Sequence, residues 1–414
     1  MSRDASVSAN GVLLLHFGFG PATPDLQESV RAFGHHSRFP IFPVNAALGY
    51  PRGLDRLRFA AVALHYTMFY GNSKPLTEPF RDYLARDRDA LKIAFFQDEQ
   101  NHLHEKLAFC SEYGVDCVYT CLEAPYAERV SGPTGASRVR TQLPGYVSDA
   151  LRAAGATLAR PDARRRIDVG YRGRKPPESW GPVAREKYEI AVEFRRRAAG
   201  LDLRLDIETD EARRIYGRRW LGFIADCRAM LGTESGARLP LPGEVPYRTV
   251  SPRHFEAAAL RSCQILYEGR YSGTMEPMVH YIPLRKDFSN FDEVVERFHD
   301  AGLRRRLTDN AHRDLIESGQ FGYAAFVRGV DEELTAAGLR PGEPAHADRV
   351  AAILYPSWLG RRARRSLRAA RVGVDRVRNR LRPGRLAEGL ASGGPAEDDD
   401  GLGVEPATTA VDRP

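Results

Sequence analysis

From residue 11 to 318, short apolar runs alternate with longer amphipathic stretches, the order expected of parallel strands joined by crossover helices. Candidate strands cover 11–17 (GVLLLHF), 59–66 (FAAVALHY), 92–97 (KIAFFQ) and 115–120 (VDCVYT), with helical stretches at 75–88 and 100–113. Thr23 and Pro24 offer an N-cap followed by proline at the first helical position. A passage rich in Ser, Gly, Pro, Ala and Arg follows at 131–165, with room for one short helix. A second series then predicts strands at 167–171, 201–207, 224–231, 263–268 and 279–284, and helices near 183–199, 210–219, 252–261, 290–300 and 306–318. No repeat at a solenoid period interrupts it. The pattern predicts an α/β protein of two Rossmann-like, doubly wound domains whose strand carboxyl ends face a cleft, where such folds bind ligands.

The length of 414 residues fits two domains and a tail. The expected boundaries are 1–155, 156–340, a connecting segment with a basic helix at 341–385, and a disordered acidic tail at 386–414. In the third segment Leu359, Ala363, Leu367, Ala370, Val374, Val377 and Leu381 recur at steps of four and three, and Arg coats the remaining faces. Such a helix, over 358–382, suits an anionic membrane surface, or docks on the protein's own body or on a partner.

Charge changes the picture only once it is located. The chain carries 61 basic and 54 acidic side chains, net +7. Residues 361–385 alone are +10, residues 386–414 are −6, and the first 360 residues are close to balanced. A nucleic-acid partner is therefore not expected. Five cysteines without a CxxC pair signal neither a disulfide framework nor a zinc site. With no signal peptide and no long apolar run, the expected location is the cytoplasm, peripheral at the inner face of the membrane if the basic helix binds lipid.

Candidate chemistry gathers at the strand ends. His16, His65, Asp98 and Glu99 stand where strands of the first domain finish, and His can move protons near neutral pH without tuning. Gly18 and Gly20 follow the first strand, but Thr23 stands where a dinucleotide fingerprint needs its third glycine, so the pair reads as a flexible turn lining the cleft. His102 and His104 are two residues apart, a spacing that does not suit a metal on a helix. In SPRHFEAAALRSCQILYEGRYSG, at 251–273, Ser251 is an N-cap and Pro252 takes the first helical position. Glu256 would then stand early in a short helix. There it either accepts ribose hydroxyls beside phosphate-binding backbone N–H groups or complements the helix dipole.

This run, extended to VVERF, resembles the group 1 glycosyltransferases of GT-B architecture, specifically their CgeB-like branch. KIAFFQDE at 92–99, DVGYRGRKPP at 168–177 and IYGRRWLGFIADCRAMLGTESGA at 215–237 resemble the same group. The resemblance spans about 10–335. It implies transfer of a sugar from a UDP-, GDP- or dTDP-sugar to a cell-surface glycan or a lipid-linked acceptor, a hexosyltransferase-like activity. The nucleotide would sit in the second domain, the acceptor in the first, and no catalytic metal or other cofactor would be needed.

Family roles carry over residue by residue. Glu256 matches the acid of the Glu-x7-Glu motif that holds the donor ribose. The position eight residues earlier is Arg248, a departure from the pattern, and Glu234 in GTESG matches the first Glu after a longer insertion. Arg174 matches the diphosphate arginine, beside Arg172, with Gly170 and Gly173 letting backbone approach phosphate. Lys187, or Lys175, matches the lysine, and Ser251 and Arg253 complete the donor set. A catalytically inactive scaffold that recruits partners through the basic tail is the alternative reading. A nicotinamide enzyme is disfavoured by the incomplete glycine fingerprint.

Overall fold

The computed structural model describes residues 7–18, 24–69, 76–87, 89–124, 126–239, 246–342 and 346–355. All lie in one compact unit ending at Pro356. Gly20, Thr23, the basic helix at 358–382 and the acidic tail at 386–414 lie outside the described residues.

Continuous aliphatic runs make the first sheet, because parallel strands covered on both faces need apolar residues at every position. Val12–His16 (β2), Ala61–Leu64 (β5), Leu91–Phe95 (β6) and Cys117–Thr120 (β7) form its centre. Leu13, Leu14, Leu15, Val62 and Leu64 are wholly buried there. The order is β3-β2-β5-β6-β7-β8, parallel throughout, with Leu14 opposite Ala63 and Ala63 opposite Ile93. Two-residue strands Val7–Ser8 (β1) and Leu57–Arg58 (β4) pair separately.

The two edge strands escape the periodicity for physical reasons. Ile41–Asn45 (β3) contains Pro43, which removes a ladder N–H and is tolerated only at an edge. Arg138–Thr141 (β8), inside the expected linker, is half-exposed and carries two arginines in four residues. Helices Pro24–His36 (α1), Glu78–Arg86 (α2), Leu103–Tyr113 (α3) and Tyr126–Ser131 (α4) belong to this lobe. Asp149–Leu158 (α5) then leads across, capped by Ser148, whose Oγ accepts from the Leu151 N–H at 3.0 Å.

The second sheet has Ile167–Arg172 (β9), Leu205–Glu208 (β10), Cys227–Gly232 (β11), Cys263–Tyr267 (β14) and Ile282–Leu284 (β15), all parallel in the order β10-β9-β11-β14-β15. An antiparallel hairpin, Ser235–Arg238 (β12) with Pro246–Thr249 (β13), is inserted after β11. Helices Gly181–Arg197 (α6), Gly217–Asp226 (α7), Pro252–Ala259 (α8), Phe291–His299 (α9) and Ala301–His312 (α10) complete the lobe. The helix expected at 210–219 stands later, as α7, and the strand expected from 224 begins at Cys227. Ile224 and Ala225 are apolar because they line the buried face of α7, not because they extend the strand. Likewise α10 starts at Ala301, where Asp300 caps it by accepting from the Leu303 N–H at 2.9 Å.

After α10 the chain returns. Tyr323–Ala336 (α11) lies within the span 156–340 that spacing assigns to the second domain, yet its Phe326, Val327, Val330 and Leu334 join the core built by Phe33, Phe95 and Tyr119 of the first lobe. Asp331 accepts from Ser37 Oγ (2.6 Å) and the Arg38 N–H (2.7 Å), and Glu333 from Arg140 (2.8 Å). Ala347–Leu354 (α12) adds Val350 and Leu354 to the other face of the first sheet. Tyr146 and Val147 on the outgoing crossover donate N–H groups to the Phe321 carbonyl on the returning one, at 2.8 and 3.0 Å. The two crossovers are thereby tied side by side.

Candidate functional site

The carboxyl ends of the two sheets face each other. Arg270, after β14, pairs with Glu123, after β7, at 2.9 Å. Tyr247 of the hairpin is buried in the core cluster of the first lobe, close to Glu99, Asp98 and Tyr146.

A cationic group stands on the second lobe. Lys187, one and a half turns into α6, donates from Nζ to Ser235 Oγ at 3.0 Å. Burial, and then the positive charge of Arg253, lower its pKa to about 8, against the pull of Asp98 from the opposite lobe. Arg174 also bears on Lys187. Its guanidinium is half-exposed and reaches Glu211 only at 4.0 Å. Arg253, in the first turn of α8, donates to the Arg172 carbonyl at 2.6 Å. Three cations thus converge where β9, α6 and α8 begin or end. Such a grouping favours a bound anion.

Arg172 is not part of this supply. It donates to the Asp206 carboxylate at 2.9 Å and stacks on Phe223 at 4.2 Å, so its charge is spent inside the lobe. The two glycines are also closely packed. A Cβ on Gly170 would stand 2.3 Å from Cys227 Sγ and 2.9 Å from Phe223, so the residue is small because α7 packs there. At Gly173 a Cβ would meet the Tyr171 ring at 2.6 Å. Lys175 is exposed on the same turn.

Glu256 accepts from the Trp220 indole at 2.6 Å. Trp220 in turn stacks on Phe223 and carries Arg253 over its face at 5.5 Å. Residue-by-residue reading missed Trp220, although GRRWLGF already placed an aromatic residue beside a basic turn. Ser251 takes the N-cap position of α8 with extended backbone and no side-chain cap bond.

Glu234 is buried and anchored. Its Oε1 accepts from the Tyr271 N–H at 2.8 Å, and burial raises its pKa. Arg248 is 3.6 Å from its other oxygen and donates twice, at 2.9 Å, to Glu186, which also pairs with Lys286 at 2.8 Å. Burial alone would raise Glu186, but the bonds from Arg248 and Lys286 bring it below the usual carboxylate value. The departure at Arg248 is therefore one member of a four-residue charge network. Glu186 and Lys286 gave no signal in the sequence, because three separate segments bring them together.

On the first lobe, His65 is wholly buried with both ring nitrogens engaged, by Ser29 Oγ at 3.0 Å and Thr67 Oγ1 at 2.9 Å. It ties the end of β5 to α1 and to the turn that follows the strand. His16, at the end of β2, has its pKa lowered to about 4 by burial, so its imidazole is neutral at pH 7. Gly18 is not a loose turn, since Asn45 clamps it by accepting from its N–H (3.1 Å) and donating to its carbonyl (2.9 Å). Asp98 follows β6 with φ 53°, in the left-handed region, and its carbonyl accepts from Lys106 at 3.0 Å. Glu99 is buried, accepting from Thr120 Oγ1 (2.6 Å) and the Cys121 N–H (2.9 Å) through one oxygen. It orders the end of β7. The structure therefore brings Asp98 near the cationic group, whereas both His65 ring nitrogens and one Glu99 oxygen are taken by bonds within the first lobe.

The five cysteines are buried and unpaired. Among the described residues no helix is long and apolar enough to cross a membrane.

No family model and no curated protein matches the sequence. Among solved structures, the chain is similar to Anabaena Alr3699/HepE in complex with UDP, with 11% identity and a TM-score of 0.46, covering 79% of this chain and 100% of that one. A sucrose-phosphate synthase from Thermosynechococcus elongatus gives 14% identity and 0.46, over 79% and 99%. An alpha-glucosyltransferase in complex with UDP-glucose and DNA containing an abasic site gives 10% and 0.45, over 80% and 100%. The topology itself, two parallel doubly wound sheets with the last helices returning to the first, has the GT-B arrangement that the resemblance implies.

Proposed function

We propose that the chain is a glycosyltransferase that draws a sugar from a nucleoside-diphosphate donor held by the second lobe. The observation that carries this reading is the convergence of Arg174, Lys187 and Arg253 at the strand ends of the second sheet, opposite Asp98. A diphosphate there gains charge-assisted hydrogen bonds, and the same cations stabilise the diphosphate as it departs. Glu256, held by the Trp220 indole, offers a carboxylate beside that position suited to a ribose. The acceptor enters from the first lobe, with neutral His16 and the Asp98 carboxyl as the groups placed to take its proton.

Thermal unfolding of the full chain with UDP, GDP, dTDP, ADP and NAD tests this. A nucleotide at about 100 times its Kd adds about 2.7 kcal/mol and raises the midpoint by a few degrees. Protection by one nucleoside diphosphate that disappears in Arg174→Ala and Lys187→Met supports the reading. Protection by NAD alone, or by none of the five, overturns it.

A further inference from the structure

A cavity of about 350 Å³ opens on the flank of the second lobe, between α6 and the loop that joins β15 to α9. Tyr188, Glu189 and Glu193 line it from the helix, Tyr267 from the end of β14, and Asp287 and Phe288 from the loop. At 3.6 residues per turn the three helix residues stand about 100–240° round α6 from Lys187, so this wall and the cationic group lie on different sides of the helix. The volume falls within the range of small-molecule pockets, about 300–1,000 Å³.

Tyr267 points to an occupant. The residue is 4% exposed, and its ring packs edge-to-face on Phe288 at 5.9 Å. Its carbonyl accepts from the Tyr271 hydroxyl at 2.6 Å, but its own hydroxyl has no hydrogen-bond partner among the described residues. A hydroxyl buried without a partner costs free energy that a ligand bonded to it recovers.

Charge then selects the ligand. Burial first, and then the negative charges of Glu189, Glu186 and Glu193, raise the Tyr267 pKa above its ordinary value. An anion would enter that same negative field. A metal ion is poorly served, because Glu193 is bonded by Arg196 and Arg197 and Asp287 accepts from the Ser289 N–H. Lys286, also on the wall, spends its charge on Glu186 at 2.8 Å. Glu189 meets Arg185 only at 3.9 Å. An ammonium or guanidinium group can donate to Glu189 and to the Tyr267 oxygen, with the half-buried Tyr188 ring beside the positive charge. A quaternary ammonium has no N–H to give that hydroxyl.

We propose that this flank cavity binds a small organic cation with N–H donors, an alkylammonium or guanidinium compound. The site stands on its own lining and does not depend on the nucleotide reading.

Titration calorimetry on the full chain with agmatine and putrescine tests it, with choline, 1,4-butanediol and succinate as quaternary, neutral and anionic counterparts. At least one of the two cations is expected to bind, about tenfold or more tightly than any counterpart. Its affinity should fall about tenfold in Tyr267→Phe, which removes one hydrogen bond and keeps the ring, and in Glu189→Gln. It should be unchanged by saturating UDP and in Arg174→Ala. Thermal midpoints of the variants separate lost binding from lost folding, and the counterpart comparisons need no variant. Absence of binding by both cations, equal or tighter binding of a counterpart, unchanged affinity in either flank variant, or displacement by UDP would each overturn the proposal.

Discussion

Lys187 shows how one side chain can set a pH dependence. Burial and Arg253 lower its pKa to about 8, whereas an unfolded lysine titrates near 10.5. Between these values the unfolded chain holds more protons, so this residue's contribution to apo stability rises with pH across that window. Anion binding runs the other way, because it needs the protonated amine. The affinity for UDP should fall by up to tenfold per unit above pH 8, and Lys187→Met should flatten that profile, as titration calorimetry at pH 7, 8 and 9 would record. Arg172 and Arg174 make the complementary comparison. They stand two residues apart on one strand end, yet Arg172 is committed to Asp206 and Phe223 while Arg174 is half-exposed. Arg172→Ala should lower the thermal midpoint by several degrees, and Arg174→Ala should leave it unchanged while removing nucleotide protection. A reversed pattern would exchange their roles.

At the scale of elements, close packing explains residues that sequence motifs assign to ligands. Gly170 sits where β9 meets α7, and Gly155 of α5 sits where an added Cβ would come within 2.6 Å of the Ala259 carbonyl on α8. Gly170→Ala should cost about 1–3 kcal/mol by overpacking, seen as a lower urea midpoint, with nucleotide affinity of the folded protein retained. The central strands of both sheets were legible because most of their positions are apolar and buried. The edge strands β3 and β8 were not, since one contains proline and the other reads as a polar, arginine-bearing turn. The site was legible in part. Arg174 and Lys187 follow from motif positions, but Trp220, Glu186, Lys286 and Asn45 act through contacts between distant segments that no local spacing reveals. His65 stood at a strand end like any catalytic candidate, and only its two bonded ring nitrogens distinguish it.

For the whole molecule, two features bear on stability, a titrating core inside the second lobe and a helix shared between the lobes. Buried neutral histidines make the first pH-dependent: His254 is held at a pKa of about 4 by burial, with Gln264 and the Thr233 carbonyl on its ring nitrogens. Its contribution is complete above about pH 6.5 and is lost as the pH falls towards 4, about 3 kcal/mol in all. Urea midpoints at pH 7 and 4.5 should differ accordingly, and by less in His254→Asn. The second feature is the return of α11 to the first sheet, where Phe326 lies within 5.5–6.5 Å, centroid to centroid, of the rings of Phe33, Phe95 and Tyr119. Removing that ring opens a cavity costing about 3–5 kcal/mol. Trp180 and Trp220 report on the second lobe, so in a Trp358→Phe background fluorescence follows that lobe alone. If α11 couples the lobes, Phe326→Ala lowers the fluorescence midpoint together with the far-ultraviolet dichroism midpoint, in one transition. Two transitions, with the fluorescence midpoint unmoved, would mean that the second lobe folds without the first and that the returning helix serves only the lobe it covers.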